Sequence, residues 1–419
     1  MTTGKSTYYL DMPEIVLLCA VAFLIPLHIE YTSPIIAALG LLFLVRPRNY
    51  KALCESARTL GFWAMIIPFA LYLIGLTYSE DLKTALHNTE TALSLLAFPF
   101  IATAFRQNCI EKKLDLIKIS LIAGILAIMI ISIINAYGNY TETQNADMFF
   151  YVYLLRSPHH HSYYAMFAII ILAESLMHRD WKQQKMLTIS EIILIIANVG
   201  FICLLSSKIT ILILFIYTVY LIIRMLLSKR IPKWLSIAVT ASIIAIAPAI
   251  MSIPMVKYRI DSMVASFKAQ HDNEQTAYTR NESTTIRIKC MASALDVISE
   301  NWLIGTGQGD VYAEMEKKMK LRMGENYAGT CAPHNQFLRT FASFGIMGIA
   351  SLLLLFFAMF RTAIKSRNSA MIWWCIITLC FFCIEDMLSI INGIIFFCLF
   401  TGIMLLGRMD KEQSSPSLS

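Results

Sequence analysis

Residues 116–135 read LIKISLIAGILAIMIISIIN, with Lys118 as the one charge. A helix needs about 20 such residues to cross a hydrocarbon core of ~30 Å. Stretches of the same kind recur near 14–30, 33–45, 60–77, 89–105, 162–178, 187–207, 209–227, 234–253, 344–360, 370–388 and 391–407. Over the 419 residues, hydrophobic types make up 57%, charged types 15%, and mean hydropathy is +0.61. Soluble proteins carry roughly a quarter charged residues. The composition therefore excludes an ordinary cytosolic enzyme and a disordered chain. The expected fold is all-α: a polytopic membrane protein of about twelve transmembrane helices. The first span has no small-residue cleavage site and reads as an uncleaved anchor.

The connecting loops orient these spans. Basic residues gather in alternate loops: Arg46, Arg48, Lys51 and Arg58; Arg106, Lys112, Lys113 and Lys118; Arg179, Lys182 and Lys185; Arg224, Lys229, Arg230 and Lys233; Arg361, Lys365 and Arg367. The intervening short loops hold only Lys83, Arg156 and Lys208. Basic loops stay on the cytoplasmic side, so both termini are expected inside. The net charge of +7 is then a topology signal, and no nucleic-acid partner is implied. The expected organisation is spans one to nine over 1–253, an outer helical loop over 254–343, spans ten to twelve over 344–407, and a cytoplasmic tail over 408–419.

The outer loop reads as helical. In STTIRIKCMASALDVISENW, Ile288, Met291, Leu295 and Ile298 recur at threes and fours, with Ser283 or Thr284 as N-cap. IGTGQGD breaks that helix, VYAEMEKKMKLRM forms a charged one, and Tyr258, Met263 and Phe267 mark another. Pro333 is expected in the first turn of a last helix leading to the membrane.

Several residues are placed for chemistry. Lys208 sits between two apolar runs, where an unpaired charge is costly. It is either a snorkelling lysine in a tight turn or part of an anion site. Glu385 and Asp386 in FFCIEDMLS are the acidic counterpart near another outer turn, or a solvated turn. Arg287 lies near a helix N-terminus, which favours anions, whereas Arg259, Arg280 and Lys289 read first as loop surface. His334, close to the membrane, can take a proton near neutral pH, or can simply cap and pack. His159, His160 and His161 point in different directions and have no acidic or cysteine partners in sequence. One of them contacting a substrate fits better than a metal site.

Gly305, Gly307 and Gly309 lack the preceding strand and the lysine of a nucleotide loop. No metal-binding or cofactor motif stands out. The ten cysteines form no disulfide framework. Most lie in apolar runs, the Cys380–Cys383 pair among them. Cys290 and Cys331 differ from these as the only cysteines of the outer loop. They are either bridged or two free thiols.

The order of spans and loop, with STTIRIKCMASALDVISENWLIGTGQGDV followed by APHNQFLRTFASFGIMGI, resembles the O-antigen ligase and polymerase superfamily. Arg287, the Gly305–Gly309 turn, His334–Asn335 and Gly345–Gly348 occupy the places of that family's loop motifs. Trp302 stands where the family has a proline, and Lys208 where it usually has an arginine. His161–Ser162 matches its histidine–serine step into the sixth span. The resemblance implies a metal-independent glycosyltransferase of the bacterial inner membrane with its active site facing the periplasm. Its donor would be an undecaprenyl diphosphate-linked glycan, its acceptor lipid A-core, with membrane lipids around it and no cofactor. His334 and Arg287 would be catalytic; Lys208, Arg259, Lys83, His161, Glu385 and Asp386 would bind substrate. A single dominant outer loop favours the ligase over an O-antigen polymerase or a protein O-oligosaccharyltransferase. A polysaccharide flippase or transporter would place charges mid-span and show internal repeats, and neither is evident.

Overall fold

A computed structural model describes residues 12–27, 29–104, 110–155, 163–168, 189–205, 208–227, 257–258, 261, 264–265, 283–325, 327 and 329–406. The described residues are helical and contain no strand. The helices are α1 (Met12–Leu24), α2 (Thr32–Val45), α3 (Pro47–Ser56), α4 (Leu60–Gly75), α5 (Leu82–Ala104), α6 (Ile110–Thr143), α7 (Ile189–Leu205), α8 (Lys208–Leu227), α9 (Ser283–Asn301), α10 (Val311–Met323), α11 (Gln336–Lys365), α12 (Ser369–Phe382) and α13 (Ile391–Leu406). Short helical turns at Ile29–Tyr31, Ala146–Phe149, Tyr151–Leu154 and Met387–Ser389 complete them.

Two of the described helices are long and apolar enough to cross a membrane, Asp115–Thr143 and Gln336–Lys365. A third results if Asn49–Ser56 and Leu60–Gly75, bent by 88°, form one span. The apolar helices α1, α2, α12 and α13 are shorter. Large apolar side chains are exposed on several helices, as suits a membrane protein: Leu41 and Val45 on α2, Ile134 on α6, Phe215 on α8, and Leu353 and Phe357 on α11. Water penalises such surface and lipid does not.

The chain divides into two compact units, 128–288 and the combination of 1–127 with 289–419. In the first, α7 packs against α8 and against the Tyr151–Leu154 turn. In the second, α13 is apolar nearly all round and buried nearly all round, as a helix at the centre of a bundle must be. It packs against α4, α5 and α11, and its Phe396 ring meets Trp374 of α12 at 5.5 Å. Helices α4 and α11 pack together, as do α4 and α5. Glu14 of α1, buried in an apolar helix, pairs with Arg46 just after α2.

The glycine-rich turn explains how the loop attaches to the bundle. Helix α11 is broken at Gly345, with φ 58° and ψ −149°. The kink is bridged across the chain: Thr306 N–H donates to the Ala342 carbonyl and Gly307 N–H to that of Ser343, both at 2.9 Å. The Gln308 side chain enters between α4 and α5 and donates to the Tyr72 carbonyl at 2.9 Å. The Asp310 carboxylate accepts the N–H groups of Glu80 and Asp81, both at 2.8 Å. These bonds supply partners that the turn and the preceding end of α5 would otherwise lack. The expected helices after Ser283 and over VYAEMEKKMKLRM are present as α9 and α10. Pro333 is not in the first turn of α11: Asn335 is the N-cap, its Oδ1 accepting from Leu338 N–H at 3.0 Å. The side-chain cap, not the proline, starts the helix. The helix expected around Tyr258, Met263 and Phe267 falls mostly outside the described residues.

Candidate active site

His334, Asn335 and Gln336 each grip the turn between α12 and α13. His334 Nδ1 lies 3.3 Å from Glu385 Oε2. Asn335 N–H donates to Asp386 Oδ1 at 2.7 Å, and its side-chain amide donates to the Cys383 carbonyl at 3.0 Å. Gln336 Oε1 accepts from Leu388 N–H at 2.7 Å, while its Nε2 donates to Thr340 Oγ1 at 2.9 Å. The last residues of the loop and the α12–α13 turn are therefore one hydrogen-bonded corner.

The backbone at His334 is strained, with φ 44°. Left-handed φ is uncommon outside glycine and costs about 1–3 kcal/mol where the surroundings impose it. Here Asn335 and Gln336 are both tied down, and the bend turns the imidazole onto Glu385. Glu385 is buried and the His334 side chain is half-exposed, so the ring has one face toward carboxylate and an accessible edge. A carboxylate accepting from Nδ1–H assigns the proton to that nitrogen and the basic lone pair to Nε2.

Behind the imidazole, Asp386 is buried, and desolvation pushes its carboxyl above the ordinary carboxylate range. The positive charges of Arg339 and His334 oppose this shift, and Glu385 adds to it. Arg339 is buried and stacks over the Tyr312 ring at 4.7 Å from its centroid. Desolvation pushes the Tyr312 phenol up to about 12, so it stays neutral beside these charges.

The corner brings together three of the residues singled out in the sequence: His334, Glu385 and Asp386. Arg287 is on the second turn of α9, half-buried, and Lys83 is exposed on the first turn of α5. Lys208 is the first residue of α8. Arg259 and His161 lie outside the described residues. Sequence reading passed over Arg339, Tyr312 and Gln336. Arg339 carried a usable signal, since FLRTFASFG sets one cation in an apolar helix.

The described helices, with apolar faces turned outward and one polar corner where loop meets bundle, are those of an all-helical protein suited to a membrane. Residues 192–353 match the family model described as O-antigen ligase. The matched segment supports placing the chain in the O-antigen ligase superfamily and supports a glycosyltransferase-like ligase or polymerase function at a membrane. It runs from α7 into α11 and includes Lys208, Arg287, the glycine turn, His334 and Arg339, while Lys83, His161, Glu385 and Asp386 lie beyond it. The chain matches no curated protein.

Proposed function

We propose that the protein moves O-antigen glycan from undecaprenyl diphosphate to a hydroxyl of a lipid A-core sugar, on the periplasmic face of the inner membrane. The observation that carries this reading is the His334–Glu385 pair at the point where the loop returns to the bundle, with His334 inside the family-matched segment and Glu385 beyond it. The topology follows the basic loops: about twelve spans, both ends inside, and residues 254–343 outside.

The chemistry is a single displacement. The acceptor oxygen attacks the anomeric carbon as the bond to the diphosphate oxygen breaks, inverting that centre. The acceptor proton passes to His334 Nε2, and Glu385 stabilises the resulting imidazolium. Undecaprenyl diphosphate leaves with its electron pair, so cations that bind it lower the barrier most. Arg287 and Lys208 take that role, with Arg259 and Lys83 at the donor and His161 at the substrate. Asp386 holds the Asn335 N–H and so the bend of His334. A preorganised cationic site of this kind requires no metal ion.

Deleting the gene and resolving the lipopolysaccharide on gels tests the proposal. Intact core without any O-antigen is the expected result. Core carrying a single repeat would instead identify a polymerase, and an unchanged ladder would overturn both readings.

A further inference from the structure

Cys290 on α9 and Cys331, three residues before His334, are both buried. In the structure both are free thiols, with their side chains in hydrogen-bond contact. The contact is one part of a seam. Ser293, one turn along α9, bonds the Cys331 side chain, and the Ala332 backbone bonds Cys290. Lys289 Nζ reaches Met323 Sδ at 3.0 Å, and Arg322 pairs with Asp296 at 2.6 Å. The approach to His334 is thus laid along α9, with the two sulfurs facing each other within it. The other described cysteines lie elsewhere: Cys19, Cys203, Cys375, Cys380 and Cys398 are in helices, Cys54 is exposed in α3, and Cys383 is exposed just after α12.

We propose that Cys290 and Cys331 are a disulfide site, closed as the outer loop folds, which clamps the His334 segment to α9. The clamp rests on the placement of residues 254–343 outside the membrane, where structural disulfides persist. The bond would close a loop of about forty residues.

The oxidant is a disulfide of a thiol–disulfide oxidoreductase in the same compartment. One of the two cysteines, as thiolate, attacks one of its sulfurs and releases the other as a thiol. The thiolate of the other cysteine then displaces the oxidoreductase from the mixed disulfide. One S–S bond is lost and one gained; two electrons and two protons end on the oxidoreductase dithiol. Both sulfurs are covered in the folded protein, so the exchange belongs to folding.

The test uses the full-length protein in membranes, acid-quenched, denatured and alkylated before and after reduction, then digested for mass spectrometry. A loop reporter fused after residue 325 reads the compartment independently. The expected result is a Cys290–Cys331 cross-linked peptide pair, two hydrogens lighter than the reduced pair and lost on reduction, with Cys54 alkylated throughout. Full alkylation of both thiols before reduction, with the reporter outside, would overturn the bridge and leave the topology standing. A reporter inside would overturn the topology and the bridge with it. Reductant should also lower the Tm of wild type but not of Cys290→Ser/Cys331→Ser; equal shifts would count against a clamp.

Discussion

The Asn335 backbone N–H donates to Asp386 Oδ1 at 2.7 Å, one residue past an imidazole that pairs with Glu385. Two adjacent residues before α11 thus meet two adjacent carboxylates after α12. One contact is to a side chain that can accept a proton, the other to a backbone that sets its direction.

Asp386 therefore has a structural bond and a buried charge that separate cleanly by mutation. Its carboxyl is raised by burial, so its ionised form is the costly one in the folded state. Stability from this group is full below the ordinary carboxylate value of about 4, and is lost as pH rises through the raised value. Asp386→Asn keeps the acceptor and removes the charge. Its Tm in detergent should equal or exceed wild type at pH 7, with the difference shrinking toward pH 4. Asp386→Ala leaves the Asn335 N–H without this acceptor and should lose about 1–3 kcal/mol. A pH-independent difference between Asn variant and wild type would show that the buried charge is not the cause.

His334→Ala should lower glycan transfer by about a hundredfold or more, the scale of a lost general base, while the protein still reaches the membrane. Glu385→Gln keeps an acceptor for Nδ1–H but removes the charge that favours imidazolium. It should reduce kcat. Turnover of His334→Ala at the wild-type rate in liposomes would remove this residue from the chemistry.

How much of this was legible without coordinates differs by residue. The helices of the bundle followed from apolar runs, because burial and lipid exposure both demand them. Helix α3 was missed: PRNYKALCES is polar, and only its placement beside α5 makes it part of the bundle. His334, Glu385 and Asp386 stood out because each interrupts or borders an apolar run. Their pairing spans about fifty residues of chain and has no local period to betray it. The Gly305–Gly309 turn was recognisable as a turn, but its docking onto the α11 kink depends on Ala342 and Ser343 carbonyls that no side-chain pattern reports. Pro333 misled because the Asn335 cap follows two residues later and decides the start of the helix.

Arg287→Ala should lose at least about tenfold in transfer, since a hydrogen bond to a charged group is worth roughly 1.5–3 kcal/mol. Lys208→Arg should be tolerated better than Lys208→Ala, because a cation is required there more than a particular geometry. Near-normal rates for both alanine variants would dismiss them as the diphosphate site. Transfer should persist in EDTA if these side chains carry the leaving-group charge, and inactivation reversed by Mg²⁺ would contradict that.

The glycine kink of α11 offers the sharpest test of how the loop is attached. Gly345 has φ 58°, and a Cβ there would overlap the Leu303 carbonyl oxygen and carbon. Its obstacle is backbone, which cannot swing aside as a long side chain can. Left-handed φ alone costs an L-residue about 1–2 kcal/mol, so Gly345→Ala should exceed that and lower Tm by several degrees. Gly307, at φ 90°, would meet the Ser79 hydroxyl, a side-chain obstacle rather than a backbone one. Gly138 and Gly200 lie within α6 and α7, with nothing within 4 Å of a built Cβ. There alanine should be neutral or should stabilise by up to about 1 kcal/mol through helix propensity. Thermal unfolding of the four variants in one detergent compares them directly. If Gly345→Ala melts with Gly138→Ala, the loop is not docked through the kink, and the Thr306 and Gly307 bonds to Ala342 and Ser343 do not hold it in solution.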